Sequence, residues 1–170
     1  MVEEQVLAQA QDLTTADCSI EVVCDLDRFN ALAPEWDRLV EGQGADHVFL
    51  SHAWFRTWWE SFGAGNELFV VTVRDRGKLR AIAPLMRTRA SIYGLKVNTI
   101  HAIYNPHTPR YDFAIGCNRN PRFYSAIWSK LVECAQADAI VLTQIPQDSP
   151  TIGMMERLGL LNFSQETPFP

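Results

Sequence analysis

Cysteine is scarce and poorly spaced for cross-linking, since Cys18, Cys24, Cys117 and Cys134 are the only four in 170 residues. They form no C-x-x-C pair, which excludes a disulfide framework and a structural zinc site and predicts reduced thiols in the cytoplasm. Long apolar runs are missing as well. No stretch approaches the roughly 18–20 residues that a bilayer-crossing helix needs, so no membrane span is expected. The opening Met1-Val2-Glu3-Glu4 is acidic where a signal peptide would be basic. Also absent are a G-x-S-x-G elbow, an H-E-x-x-H metal helix, a phosphate-binding Walker loop and a dinucleotide fingerprint, which removes the enzyme classes that depend on them.

Apolar side chain, by contrast, is plentiful. At 47% hydrophobic and 11% aromatic residues, the chain can offset the entropy of ordering its backbone, and disorder is excluded. Residues 1–18, rich in Gln, Ala and acids, read as a flexible tail, and residues 19–170 as a single domain without linker or repeat. Charge is divided unevenly. Residues 1–67 carry thirteen acids and three bases, whereas residues 68–170 carry twelve bases and seven acids. Arg74, Arg76, Lys78, Arg80, Arg87 and Arg89 are crowded into one predicted hairpin. They either face an anion, such as a nucleotide or a tRNA backbone, or form a solvated hairpin that blunts its own edge. With an acidic pI and no interleaved exposed aromatics, nucleic acid is not the expected partner, although tRNA stays open.

The spacing predicts a strand at Ser19–Cys24 and a helical stretch capped by Asp25. Phe29, Leu32, Trp36, Leu39 and Val40 follow at helical spacing, with Pro34 imposing a kink or a division into two helices. A second helix starts at a Ser51 cap, carries Phe55, Trp58, Trp59 and Phe62 on one face, and ends at Gly63 in a left-handed stop. That aromatic face is core or the lining of a ligand pocket, and Trp36, Trp58 and Trp59 are assigned to the core. His52, near the first turn, is expected at the surface or in a cap. A hairpin runs from Glu67 through the Asp75-Arg-Gly77 turn to Met86. Strands follow at Leu95–Ile103 and Tyr111–Ile115. Asn120-Pro121 opens a helix with Phe123, Ile127, Leu131 and Cys134 on its buried stripe. Ala139–Thr143 reads as a strand buried on both faces, Ser149-Pro150 opens a helix with Ile152, Met155 and Leu158 inward, and Leu160–Phe163 begins one more strand.

A meander followed by helix, strand, helix and strand predicts a mixed α/β fold: a twisted, largely antiparallel sheet with helices on both faces. That order resembles the acyl-CoA N-acyltransferase (GNAT) fold. Four segments narrow the likeness: Trp36-Asp-Arg-Leu39, Phe49-Leu-Ser-His-Ala-Trp54, Ala83-Pro-Leu85 and Asn105-Pro-His-Thr-Pro-Arg-Tyr-Asp-Phe113. Over about residues 19–165 they resemble the N-terminal lobe of CelD-like, FemAB-related bacterial proteins of cellulose or exopolysaccharide biosynthesis. The resemblance implies two GNAT lobes, with the better-formed acyl-donor site in the second, supplied by the same chain or by a partner. It also implies acetyl-CoA or another acyl-CoA as cosubstrate of the complete enzyme, and a small-molecule amine or glycan acceptor. The other class that fits is a non-catalytic scaffold lobe.

In GNAT enzymes an Arg/Gln-x-x-Gly-x-Gly/Ala loop offers backbone N–H groups to the pyrophosphate at a helix N-terminus. The matching Gly116-Cys-Asn-Arg-Asn-Pro121 has one glycine, bulky neighbours and a proline without an N–H. Gly116 and Arg119 are therefore degenerate cofactor contacts, and this lobe is expected to bind no acyl-CoA. The densest polar cluster holds His101, Tyr104, Asn105, His107, Arg110, Tyr111 and Asp112. His107 with Asp112 can act as a general base and Tyr104 as an acid toward a thiolate, with Asn105, Arg110, Tyr111 and Trp58 as substrate contacts. The same residues can equally cap their own loop between Pro106 and Pro109. His101 and His107 alone make no metal site, and none is expected.

Overall fold

A computed structural model describes residues 18–41, 47–92, 95–106, 108–116, 120–134 and 137–157. Strand β1 (Cys18–Val23) leads into α1 (Leu26–Ala31), where the Asp25 carboxylate accepts from Arg28 N–H at 2.8 Å. Pro34 divides the helical stretch as predicted. Helix α2 (Ala33–Val40) starts afresh with the proline in its first turn, where no intrahelical N–H is needed. After α3 (His47–Leu50), α4 (His52–Phe62) is capped by Ser51, whose Oγ accepts from Trp54 N–H at 3.2 Å.

Gly63 ends α4 for a different reason from the one expected. Its φ is −73°, so no left-handed turn is made. A Cβ at this position would lie 2.6 Å from the Trp59 ring, and glycine is required by that close approach. The hairpin turn does use left-handed backbone, at Arg76 (φ 52°) and Gly77 (φ 73°).

The sheet is built from two long strands, each interrupted once. β2 (Glu67–Leu68) and β3 (Val70–Asp75) form the first, and β4 (Lys78–Ala83) and β5 (Leu85–Ile92) the second. Phe69 N–H donates to Leu85 O at 2.9 Å and keeps the two in register across the break. At Pro84 the second strand changes partner: β5 pairs with β6 (Leu95–Ala102), β4 with β7 (Ala114–Ile115). Residues 103–106 and 108–113 lie outside the sheet between these two pairings, so the predicted strand from Tyr111 is reduced to Ala114–Ile115. The result is two four-stranded sheets, β1-β3-β4-β7 and β2-β5-β6-β8, antiparallel except where β8 (Ala139–Val141) runs parallel to β6.

Helix α5 (Pro121–Cys134) and α2 lie on opposite faces of the first sheet. Neighbouring strand residues show this, because Arg74 reaches Glu35 in α2 and Asp75 reaches Arg122 in α5. The core on the α2 side is aromatic. Phe29, Trp36 and Phe55 are fully buried, and the Trp36 indole N–H donates to Leu50 O at 2.7 Å. Trp58 is buried as assigned, while Trp59 is half-buried against the core.

Three expectations are corrected. His52 is buried, packed against the Phe29 ring with centroids 4.7 Å apart, and its Nε2 lies 3.0 Å from Phe29 O. β8 is not buried on both faces: Ala139 is exposed and Ile140 and Val141 half-buried, because among the described residues only β6 pairs with it. In α6 (Pro150–Arg157) the buried residue is Thr151, with Ile152 and Met155 half-buried, because the helix docks through a polar contact described below. Phe123, Ile127 and Leu131 form the buried stripe of α5 as predicted, whereas Leu158 and the strand at Leu160–Phe163 lie outside the described residues.

Candidate functional site

The excursion at residues 103–113 carries most of the predicted site residues, and the fold fixes it at three points. Ile103 N–H and the Tyr111 hydroxyl both donate to Pro84 O, at 3.2 and 2.9 Å, exploiting a carbonyl at the strand break. Tyr111 N–H donates to Gln144 O at 3.0 Å, and Gln144 itself is left-handed (φ 60°). The Asp112 carboxylate then takes the Ser149 hydroxyl at 2.6 Å, the Thr151 hydroxyl at 2.5 Å and Phe113 N–H at 2.8 Å. Ser149 also accepts from Thr151 N–H at 3.0 Å, so the cap of α6 and the anchor of the excursion are one cluster.

These contacts decide what the predicted residues can do. Tyr111 is fully buried between Phe55 and Phe113, and burial together with the Asp112 charge pushes its phenol far above the ordinary value. It is a core residue whose hydroxyl ties strand break to loop. Burial also raises the Asp112 carboxyl, against the lowering effect of Ser149, Thr151, Phe113 N–H and Arg110. Asn105 closes a turn: its N–H donates to Thr108 Oγ1 at 3.0 Å and its carbonyl accepts from Thr108 N–H at 2.8 Å. Tyr104 is half-buried against the core, and Arg110 stands 4.0 Å from Asp148. Trp58 is packed inside the helical layer with its indole N–H unpartnered among the described residues. His107 and Arg119 lie outside the described residues.

A polar constellation that the sequence reading passed over sits on β5 and β6. The Thr88 and Thr99 hydroxyls are 2.7 Å apart, and His101 Nε2 is 2.8 Å from Thr99 Oγ1. His101 is half-buried, and burial lowers its pKa, so the ring is neutral at neutral pH. The signal was available in the sequence as three polar residues on alternating positions of two adjacent strands, which the hairpin register places on one face.

The helix N-terminus that would hold a pyrophosphate is already used by the chain. Gly116 N–H donates to Arg80 O at 2.9 Å, Arg122 N–H to Asn120 Oδ1 at 3.0 Å and Phe123 N–H to Asn120 O at 3.0 Å. Pro121 has no N–H at all. The Arg122 guanidinium is held by Asp75 at 2.6 Å. The described residues therefore do not fit an acyl-CoA pyrophosphate in the manner of a GNAT loop. Among the described residues no group of three or more His, Cys, Asp or Glu is placed to hold a metal ion, and no helix is long and apolar enough to cross a membrane.

No protein-family model matches the chain, and no curated protein matches it. Solved structures do. An aminoglycoside acetyltransferase from an uncultured soil metagenomic sample superposes with a TM-score of 0.56 at 17% identity, covering 89% of this chain and 98% of the other. A GNAT family acetyltransferase from Staphylococcus aureus gives 0.50 at 11% identity, over 91% and 97% of the two chains. An aminoglycoside N-acetyltransferase in complex with CoA gives 0.53 at 10% identity, over 90% and 93%. At these identities the shared property is the fold, which is that of the GNAT acetyltransferases.

Proposed function

We propose that the chain is a GNAT-type N-acyltransferase lobe of the CelD-like, FemAB-related kind, serving as the acceptor-side or structural half of a tandem enzyme in polysaccharide or cell-envelope biosynthesis. The observation that carries this reading is the fold likeness, which spans nearly the whole of this chain and 93% or more of each neighbour quoted above. One lobe of this size holds a complete GNAT fold. The occupied N–H groups at the start of α5 support the division of labour, because the donor is then held elsewhere, in a second GNAT lobe of the same chain or of a partner. Residues 19–170 form the lobe in this reading, with acyl-CoA as donor for the complete enzyme and an amine or glycan as acceptor.

The same occupied helix terminus favours one further reading, a non-catalytic scaffold lobe. Calorimetry with acetyl-CoA on the purified chain is expected to give no saturable heat. Micromolar binding that disappears in Arg119→Ala would overturn the assignment and make this lobe the donor site. If the chain binds no donor, adding the second lobe separates the two remaining readings: turnover that responds to substitutions on this chain supports the acceptor role, and turnover indifferent to them supports the scaffold.

A further inference from the structure

The two faces of the second sheet differ in chemistry. Residues paired across antiparallel strands, or two apart along one strand, share a face. The register therefore places Met86, Thr88, Thr99 and His101 together, with Ala139 and Val141 continuing the face onto β8. None of these side chains carries a charge at neutral pH. Arg87, Arg89 and Glu67 lie on the opposite face, where Arg89 and Arg87 both reach Glu67.

Within the uncharged face the polar atoms form a chain, His101 Nε2 to Thr99 Oγ1 to Thr88 Oγ1, at 2.8 and 2.7 Å. When Nε2–H donates to Thr99 and the Thr99 hydroxyl passes its proton to Thr88 Oγ1, Nδ1 is left as a lone-pair acceptor. No hydrogen-bond partner for Nδ1 occurs among the described residues, and His101 is half-buried. Just beyond β8, Thr143 holds its hydroxyl buried and unpartnered among the described residues. Unsatisfied polar groups beside apolar surface are what a ligand with both hydroxyls and C–H faces would complete. A polycation finds no carboxylate on these strands to hold it.

We propose that this face of β5, β6 and β8 is a binding subsite for an uncharged, polyhydroxylated ligand of the sugar class, with His101 Nδ1 accepting a hydrogen bond from a ligand hydroxyl. The inference rests on the acceptor-side reading above, and it names that acceptor as a saccharide. The aminoglycosides in the names of two structural neighbours are polycations and belong to another charge class.

The test is NMR of the imidazoles on the whole chain, with the His101 signals assigned by their loss in His101→Gln. Nitrogen shifts are expected to show the neutral ring with its proton on Nε2, and Thr99→Val, which keeps shape and removes the hydroxyl, is expected to mix the two tautomers. Titration with glucose, glucosamine and N-acetylglucosamine is expected to move the His101 signals saturably with at least one sugar, while spermidine leaves them in place. A wild-type ring protonated on Nδ1, no response to any of the sugars, or a response to spermidine equal to that of the best sugar would overturn the proposal. Because the readout is binding, it is separable from the acyl-transfer reading, which fails instead if the two-lobe enzyme binds no acyl-CoA.

Discussion

The first sheet and the second are cut from the same two long strands, yet they live in different environments. In the first, Val70, Val71, Thr72 and Val73 of β3 and Ala81, Ile82 and Ala83 of β4 are buried on both faces, because α2 covers one side and α5 the other. In the second, burial is concentrated toward the Pro84 break, at Leu68, Leu85, Met86, Ile100 and Ala102, with Thr99 buried further along β6. The far end is open, with Leu95 72% exposed. The half-covered sheet carries the hydroxyl and imidazole ladder of Thr88, Thr99 and His101. Stability belongs to the first, and the proposed saccharide subsite lies on the second.

Trp36→Ala is the severest challenge to that division. It removes a fully buried indole and the donor to Leu50 O, and the expected loss is about 3–5 kcal/mol in urea unfolding. A loss below about 1 kcal/mol would show that the helical layer is not what holds the first sheet.

Asp112→Ala comes next. It leaves the Ser149 and Thr151 hydroxyls without their acceptor, with an expected cost of about 1–3 kcal/mol. Amide exchange should quicken in residues 108–116 and in α6, and hardly at all in β3. The charge itself can be tested apart from the contacts. Because burial raises the folded carboxyl above 3.8, the folded state holds a proton that the unfolded state has lost. This group's contribution to stability therefore falls as the pH rises from 3.8 through the folded value. Asp112→Asn is expected to flatten that slope.

His52 gives the opposite sign. Burial lowers its pKa below 6.5, so the unfolded chain takes up the proton first, and stability falls as the pH drops below 6.5 toward the folded value. A His52→Phe variant followed from pH 8 to 5 should lose that part of the dependence. An unchanged curve would mean that the ring is solvated.

The smallest effect is expected on the open face. Arg89, 74% exposed beside Glu67, should change stability by only about 0–1 kcal/mol when replaced by Ala. Arg74→Ala should cost more than Arg89→Ala, because Arg74 binds both Glu35 oxygens, at 2.6 and 2.9 Å, from a half-buried position. Equal effects for the two would erase the contrast between the sheets.

Much of the local structure was legible without coordinates. The Asp25 and Ser51 caps, the division at Pro34, the Gly77 turn and the Phe123–Leu131 stripe follow from backbone hydrogen-bond needs and side-chain period, both of which act over a few residues. The sites were harder to read. A run such as Tyr104 to Asp112 looks equally like a catalytic loop and a self-capped one, because residue type does not say which partners arrive from afar. Asp112 meets Ser149 and Thr151 across more than 35 residues of chain, and His52 meets Phe29 across 23.

By itself, the sequence determined the mixed α/β order of elements, the caps that open α1, α4, α5 and α6, and the absence of convergent glycines before α5. Each of these depends on intrinsic φ/ψ preference, missing N–H groups or apolar period. Only the tertiary structure decided that the strand breaks at Pro84 and trades β6 for β7, that Tyr111 is buried in the core, and that Thr88, Thr99 and His101 share an uncharged face. Those outcomes depend on register and on which surfaces the helices cover, and both are set by contacts between residues far apart in the chain.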